Sequence, residues 1–189
     1  MKYIAVFCSA QDISEKYSAP AVEFSRLLAS NGYGLVWGGT DVGLMRSIAE
    51  AVREGGGKLI GVSMEILKHL IRDDVDEKII AKDLSERKSI MLERCDGVVM
   101  LVGGIGTLDE ITDVLALKKH ELHNKPVVVL NTENFYEGLR VQLQKMKDDG
   151  FITKKFPDGT KPPMPLDELL YFADTPDEAI EFLKKELQI

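Results

Sequence analysis

Gly97-Val98-Val99-Met100-Leu101-Val102-Gly103-Gly104-Ile105-Gly106-Thr107-Leu108-Asp109-Glu110 is the stretch whose reading decides the fold. Residues 98–102 are apolar without a break, so neither face of the strand they form suits water. That is the pattern of a strand inside a parallel sheet covered on both sides. Three glycines follow within four residues, and helical periodicity takes over from about Leu108. Strand, glycine-rich turn and helix make one βα unit. Outward from it the same alternation recurs. Strands are expected over 3–8, 34–37, 58–62, 78–81, 97–102 and 126–130, and helices over 19–30, 43–54, 84–94, 108–119 and 135–147. The class is therefore α/β, with a doubly wound, mainly parallel sheet and helices on both faces. Ligands in such sheets bind beyond the carboxyl ends of the strands, so the strand-to-helix turns are where chemistry is sought.

The C-terminal part differs. Four of the seven prolines fall between Pro157 and Pro165, which predicts an extended loop. Thr175-Pro176-Asp177-Glu178 then supplies an N-cap, a first-turn proline and a capping-box glutamate for a helix through about Leu187. With no repeat or low-complexity tract, residues 1–189 read as a single nucleotide-binding domain with a Pro-rich loop and C-terminal helix from about 153.

Composition narrows the function. Of 189 residues, 44% are hydrophobic and 29% charged, which is globular and not disordered. Asp plus Glu outnumber Lys plus Arg by 31 to 24, a net charge of −7, which argues against a polymeric nucleic-acid partner or a polybasic membrane patch. Two cysteines, Cys8 and Cys95, make neither a disulfide scaffold nor a cysteine zinc cluster, and their apolar neighbours predict buried thiols. The first residues lack a signal-peptide pattern and no run reaches the ~20 apolar residues of a membrane span, so a cytoplasmic location is expected.

Two turns are rich in glycine: Trp37-Gly38-Gly39-Thr40-Asp41-Val42-Gly43 and Val102-Gly103-Gly104-Ile105-Gly106-Thr107. Backbone N–H groups at such a junction, added to the positive end of a helix, suit a phosphate. Neither is a P-loop, since no Gly-Lys-Ser/Thr follows, and Asp109 stands where a dinucleotide fingerprint needs its third glycine. A turn without any ligand is the plain alternative, but two on one sheet edge favour phosphate.

Glu110 follows Thr107 by three residues, which is a capping-box spacing, so a structural role competes with a chemical one. Arg87 and Lys88 flank an apolar stripe of Leu84, Met91 and Cys95 on a helix opened by Asp83 and Glu86. Arg87 either pairs with a carboxylate beside the core or turns its fork of donors toward an anion in the cleft. His120 and His123, near a helix C-terminus, suit the dipole there, and with no further ligands nearby no metal site is expected.

Glu86-Arg87-Lys88-Ser89-Ile90-Met91 followed by Gly103-Gly104-Ile105-Gly106-Thr107-Leu108-Asp109-Glu110 resembles the paired signatures of the LONELY GUY family, whose members are cytokinin riboside 5′-monophosphate phosphoribohydrolases. The similarity runs from Val6-Phe7-Cys8 through Gly43-Leu44-Met45 to Gly150-Phe151-Ile152. The resemblance implies a Rossmann-like fold, a homodimer, no cofactor, and hydrolysis of the N-glycosidic bond of a nucleoside 5′-monophosphate to free base and ribose 5-phosphate. Arg87 and Glu110 match the family's catalytic pair. Gly103, Gly104, Gly106 and Thr107 match its phosphate loop, and Gly38, Gly39, Gly43 and Met45 its earlier loop. Lys88 and Ser9 join the expected phosphate and substrate contacts. Departures are Val102 for a proline, Thr40 for a glycine, Cys8-Ser9-Ala10 for Cys-Gly-Ser-Ser, and a shorter segment at 67–77. The family's older label, lysine decarboxylase, finds no lysine in a pyridoxal-phosphate setting. The competing class is a non-catalytic carrier of nucleotide or molybdenum cofactor, which would need the glycine loops but not the pair.

Overall fold

The computed structural model describes residues 1–154, 159–160 and 162–188. Its strands are β1 (Tyr3–Phe7), β2 (Gly34–Trp37), β3 (Leu59–Met64), β4 (Glu77–Ala81), β5 (Gly97–Met100), β6 (Val127–Leu130) and β7 (Tyr171–Ala173). They form one sheet in the order β4-β3-β2-β1-β5-β6-β7, and each pairing between these strands is parallel. The main helices are α1 (Glu15–Ser30), α2 (Gly43–Glu54), α3 (Leu84–Glu93), α4 (Ile105–Lys119), α5 (Glu137–Asp148), α6 (Leu166–Leu169) and α7 (Pro176–Leu187).

Side chains alternate between two buried layers, as pleating requires. Ile4, Val6, Leu35, Trp37, Val99 and Val128 pack on one face against Phe24 and Leu28 of α1, Leu44 and Ile48 of α2, and Ile180 and Leu183 of α7. Ala5, Phe7, Val36, Val62, Val98 and Val129 pack on the other against Met91 of α3, Ile111 and Val114 of α4, Leu143 of α5 and Leu169 of α6. Both faces of the central strands are thus covered, which accounts for their unbroken apolar runs. The chain steps from β1 outward to β4, then returns to the other side of β1 with β5. The turns after β1 and β5 therefore diverge and open a crevice between them, at the switch point where α/β sheets bind ligands.

Several boundaries move, each for a physical reason. Helix α1 starts at Glu15, not 19, because Tyr17 and Ser18 N–H already bond Ser14 O and Pro20 is carried inside the helix. Strand β5 ends at Met100; the Val102 carbonyl turns instead to Ser9 N–H at 3.0 Å. The short strand β7 stands where no strand is expected, three residues long and paired with Val128, Val129 and Leu130. The proline-rich segment is more than an extended loop: Lys154 N–H bonds Pro162 O, and Met164 N–H bonds Ile152 O, around an antiparallel bridge of Thr153 with Pro163. Pro157 lies outside the described residues. The cap of α7 is as expected, with Thr175 Oγ1 accepting from Glu178 N–H at 3.2 Å. No helix among the described residues is long and apolar enough to cross a membrane.

Candidate active site

A cavity of about 380 Å³ opens at the crevice, a size that suits a small-molecule ligand. Cys8, Ser9, Ala10 and Gln11 after β1 form one wall, and Gly104, Gly106, Thr107 and Glu110 form another. Thr40 and Val42 come from the first glycine turn and Met45 from the first turn of α2, Met64 from the end of β3, Leu67 and Leu70 from the segment after it, and Leu84 and Arg87 from α3.

Arg87 and Glu110 meet at its floor. Arg87 Nη1 donates to Glu110 Oε1 at 2.8 Å, and Arg87 Nε donates to Val62 O at 2.9 Å. Each residue is only 7% exposed. Burial pushes the Glu110 carboxyl above its ordinary range, and the Arg87 charge opposes that rise. The capping reading of Glu110 does not hold. Helix α4 begins three residues earlier than expected, with Gly104 as its N-cap, so Thr107 is already inside the helix and Glu110 lies a turn further along. The buried stripe of α3 is also corrected. Leu84 is 54% exposed at the cavity, whereas Arg87, one turn before the buried Met91, occupies the inward face.

Helix α4 has no side-chain cap, so the N–H groups of its first turn are left by helix geometry for whatever sits before them. Gly103 fits here for want of a side chain: a Cβ would lie 2.1 Å from Thr107 Oγ1, which folds back over it. The first glycine turn is built differently. Asp41 N–H bonds Leu70 O at 2.7 Å and Leu44 N–H bonds Gln11 O at 3.1 Å, so protein carbonyls already occupy donors there. Its glycines serve close approach. A Cβ on Gly38 would lie 2.3 Å from Arg87 Nη2, and Gly39 (φ +74°) passes against the backbone of Gly61 and Val62. Gly43 (φ +52°) abuts Ala10 and Gln11.

Among the other expected residues, Ser9 lines the cavity, its Oγ accepting from Gln11 N–H at 3.0 Å, and Met45 lies beside it with Thr40 Oγ1 2.9 Å from its sulfur. Lys88 does not line the cavity; its Nζ bridges to Asp109 at 3.1 Å and Asp113 at 3.6 Å. Cys8 is a buried thiol held neutral by burial, and burial lifts Cys95 to about 11. His123 is not a dipole-complementing cation: its Nε2 contacts Val114 O at 2.9 Å and burial lowers its pKa. Sequence reasoning missed the Val62 carbonyl and singled out no residue of the wall of Met64, Leu67 and Leu70, although the last two fall in the segment at 67–77 noted as a departure. The apolar spacing of 64, 67 and 70 carries a helical signal for that wall, but nothing local marks a strand carbonyl as a ligand for arginine.

Comparison with known proteins sets this geometry in a family. The sequence profile of the family described as "Possible lysine decarboxylase" matches residues 45–161. The cytokinin riboside 5′-monophosphate phosphoribohydrolase of Mycobacterium tuberculosis is 36% identical over 152 residues, covering 79% of this chain and 81% of that protein. This chain belongs to the LONELY GUY family. Another member of the family, the cytokinin riboside 5′-monophosphate phosphoribohydrolase LOG5 of Arabidopsis thaliana, is 36% identical over 154 residues, covering 80% of this chain and 68% of that one. Among solved structures, the molybdenum cofactor carrier protein of Chlamydomonas reinhardtii superposes with a TM-score of 0.72 at 26% identity over 100% of this chain and 99% of that one. The molybdenum cofactor binding protein of Rippkaea orientalis gives 0.74 at 22% identity over 98% and 97%, which shows a shared fold. The decarboxylase description does not fit the cavity. Pyridoxal-phosphate chemistry needs a lysine for its Schiff base, and no lysine is among the lining residues. No group of three or more potential metal ligands occurs among the described residues.

Proposed function

We propose that this protein hydrolyses the N-glycosidic bond of a nucleoside 5′-monophosphate, a cytokinin riboside monophosphate or a close analogue of AMP, to free base and ribose 5-phosphate. The observation that carries the reading is the buried Arg87–Glu110 pair, 2.8 Å apart, in the same cavity as the uncapped start of α4. The names of the M. tuberculosis and A. thaliana relatives support it. The 5′-phosphate sits on the N–H groups of 105–107, where the helix dipole favours an anion. That anchors the ribose with C1′ toward Glu110, so binding remote from the reacting carbon supplies orientation.

The C1′–N bond breaks with its electron pair going to the base nitrogen, through an oxocarbenium-like state that the Glu110 carboxylate stabilises. Water forms the new C1′–O bond and gives a proton to Glu110, the departing base takes a proton from solvent, and Glu110 then releases its own to solvent, so no net proton is consumed. Arg87 holds Oε1, which assigns the water to Oε2. No cofactor takes part, and cytoplasmic pools of nucleotides are the proposed setting, in keeping with two free thiols.

The protein is proposed to act as a homodimer. Leu84 lines the cavity at 54% exposed, and Ile105, beside Gly104 and Gly106, is 81% exposed, an apolar rim that a second copy would cover. Sedimentation at micromolar concentration should give the mass of two chains, and a monomer there contradicts the dimer.

The activity is tested by incubating the protein with AMP, other nucleoside monophosphates and an N6-isopentenyladenosine monophosphate, then separating products by chromatography. Free base from at least one is expected. No base from any of them, at enzyme concentrations near the substrate's, overturns the hydrolase and leaves carriage of a nucleotide or molybdenum cofactor as the reading.

A further inference from the structure

Tyr136 lies outside the cavity lining and outside both sequence signatures, yet it holds the turn on which the phosphate would rest. It is 4% exposed, at the N-cap of α5. Its hydroxyl donates to Leu101 O at 2.9 Å and lies 3.5 Å from Gly103 O. Two further contacts fix the ring's position. Tyr136 N–H donates to Asn131 Oδ1 at 2.8 Å, and the Phe135 ring stacks edge-on against it at 4.8 Å. The turn that delivers it is strained, since Glu133 (φ 53°) and Asn134 (φ 55°) both adopt the left-handed region without being glycine. Such strain persists only where the surroundings over-determine it.

The carbonyls between β5 and α4 all turn to the protein. Leu101 O takes the Tyr136 hydroxyl, Val102 O takes Ser9 N–H, Gly103 O faces the same hydroxyl, and Gly104 O takes Leu108 N–H. In a trans peptide the C=O of one residue points opposite to the N–H of the next. Fixing Gly103 O beneath the turn therefore directs Gly104 N–H the other way, toward the side on which Gly104 lines the cavity. An anion site needs this polarity, because one carbonyl swung into it would repel the phosphate.

We propose that Tyr136 is a positioning residue for the 5′-phosphate: its hydroxyl, under the Gly103–Gly104 peptide, keeps the Leu101 and Gly103 carbonyls away from the cavity and so Gly104 N–H toward it. Burial raises the hydroxyl's pKa, so it remains a donor at all working pH values. The proposal rests on the phosphate-binding part of the hydrolase reading, not on turnover.

Calorimetric titration with ribose 5-phosphate tests it on wild type, Tyr136→Phe and Phe135→Leu. Tyr136→Phe keeps the ring and removes the hydroxyl. The expected result is a Kd about tenfold weaker for Tyr136→Phe alone, in line with loss of one well-placed polar contact. In steady state KM for a nucleoside monophosphate should rise by the same factor with kcat within about twofold. An unchanged Kd in Tyr136→Phe overturns the proposal. So does equal weakening in Phe135→Leu, which would mean general loosening of the turn, and so does wild type that fails to bind ribose 5-phosphate. A wild type that binds ribose 5-phosphate but releases no base would defeat the hydrolase and leave the titration decisive for Tyr136.

Discussion

Arg87 and Glu110 are brought together from helices 23 residues apart, with Val62 O as a third member. Removing one partner of a buried pair leaves the other charged without compensation. Arg87→Ala should therefore cost about 3–5 kcal/mol of stability, read from urea denaturation, whereas the near-isosteric Glu110→Gln should cost clearly less. If the two variants unfold at the same urea concentration, the pair is not held as described. The Glu110 carboxyl titrates above the ordinary glutamate value of about 4.5 because burial outweighs the Arg87 charge. In the proposed mechanism turnover uses the carboxylate, so the rate should fall on the acid side at a higher pH than an ordinary glutamate gives. For stability the sign is opposite. A raised folded-state pKa favours the fold below about 4.5, and that contribution is lost as pH rises through the folded value. A pH–rate profile whose acid limb sits at or below 4.5 would contradict this environment for Glu110. Residue type and spacing leave each residue between a structural and a chemical reading, and the family resemblance makes them a candidate pair. Their contact was not legible, because Thr107-x-x-Glu110 is equally a capping box until the true start of α4 is known.

At the scale of elements, the glycine turns do different work despite similar composition. The turn before α4 presents donors, while that before α2 brings backbone close to Arg87 and to β3. Gly38→Ala should press on a guanidinium held by two bonds and displace it from Glu110. Activity should drop by about 10²-fold with the protein still folded, since an ångström of misplacement costs about that much. An alanine variant with wild-type kcat would mean Nη2 can move freely. Acid stability is set elsewhere, at the start of β3. Asp76 accepts from Lys58 Nζ at 2.9 Å and Leu59 N–H at 2.9 Å, which hold its carboxyl down at about 2. Its stabilisation is present above about 3.8 and lost as pH falls toward about 2, so Asp76→Asn should flatten the stability curve in that window. A variant as acid-sensitive as wild type there would mean that Asp76 does not set the acid limit. The strongly periodic elements were readable to within a few residues. Strand β7 was not, because a three-residue strand has too little alternation to signal itself and owes its existence to pairing with β6.

Across the whole molecule, the α/β class followed from strands too apolar for an exposed sheet, and the two buried layers bear that out. Strand order is non-local, and periodicity cannot supply it. The crevice exists because β5 returns to β1's free edge, and that return brings the turns after β1 and β5 around one cavity. The same non-local order explains why Tyr136 left no trace in the sequence: its hydroxyl reaches a carbonyl 35 residues away. A net charge of −7 remains an argument against polymeric nucleic acid, yet it is no obstacle to one phosphate held by backbone N–H groups at a helix start.

In the proposed reaction this cavity breaks a ribosyl bond with Glu110 at the reacting carbon. The most direct measurement is a quantitative product assay on a nucleoside 5′-monophosphate with wild type and Glu110→Gln, both verified as folded by thermal melting. Wild type should give base and ribose 5-phosphate in equal amounts, and the variant a kcat lower by about 10³-fold or more with KM little changed. Nucleoside plus inorganic phosphate as the products, or a variant within tenfold of the wild-type rate, would contradict that reaction.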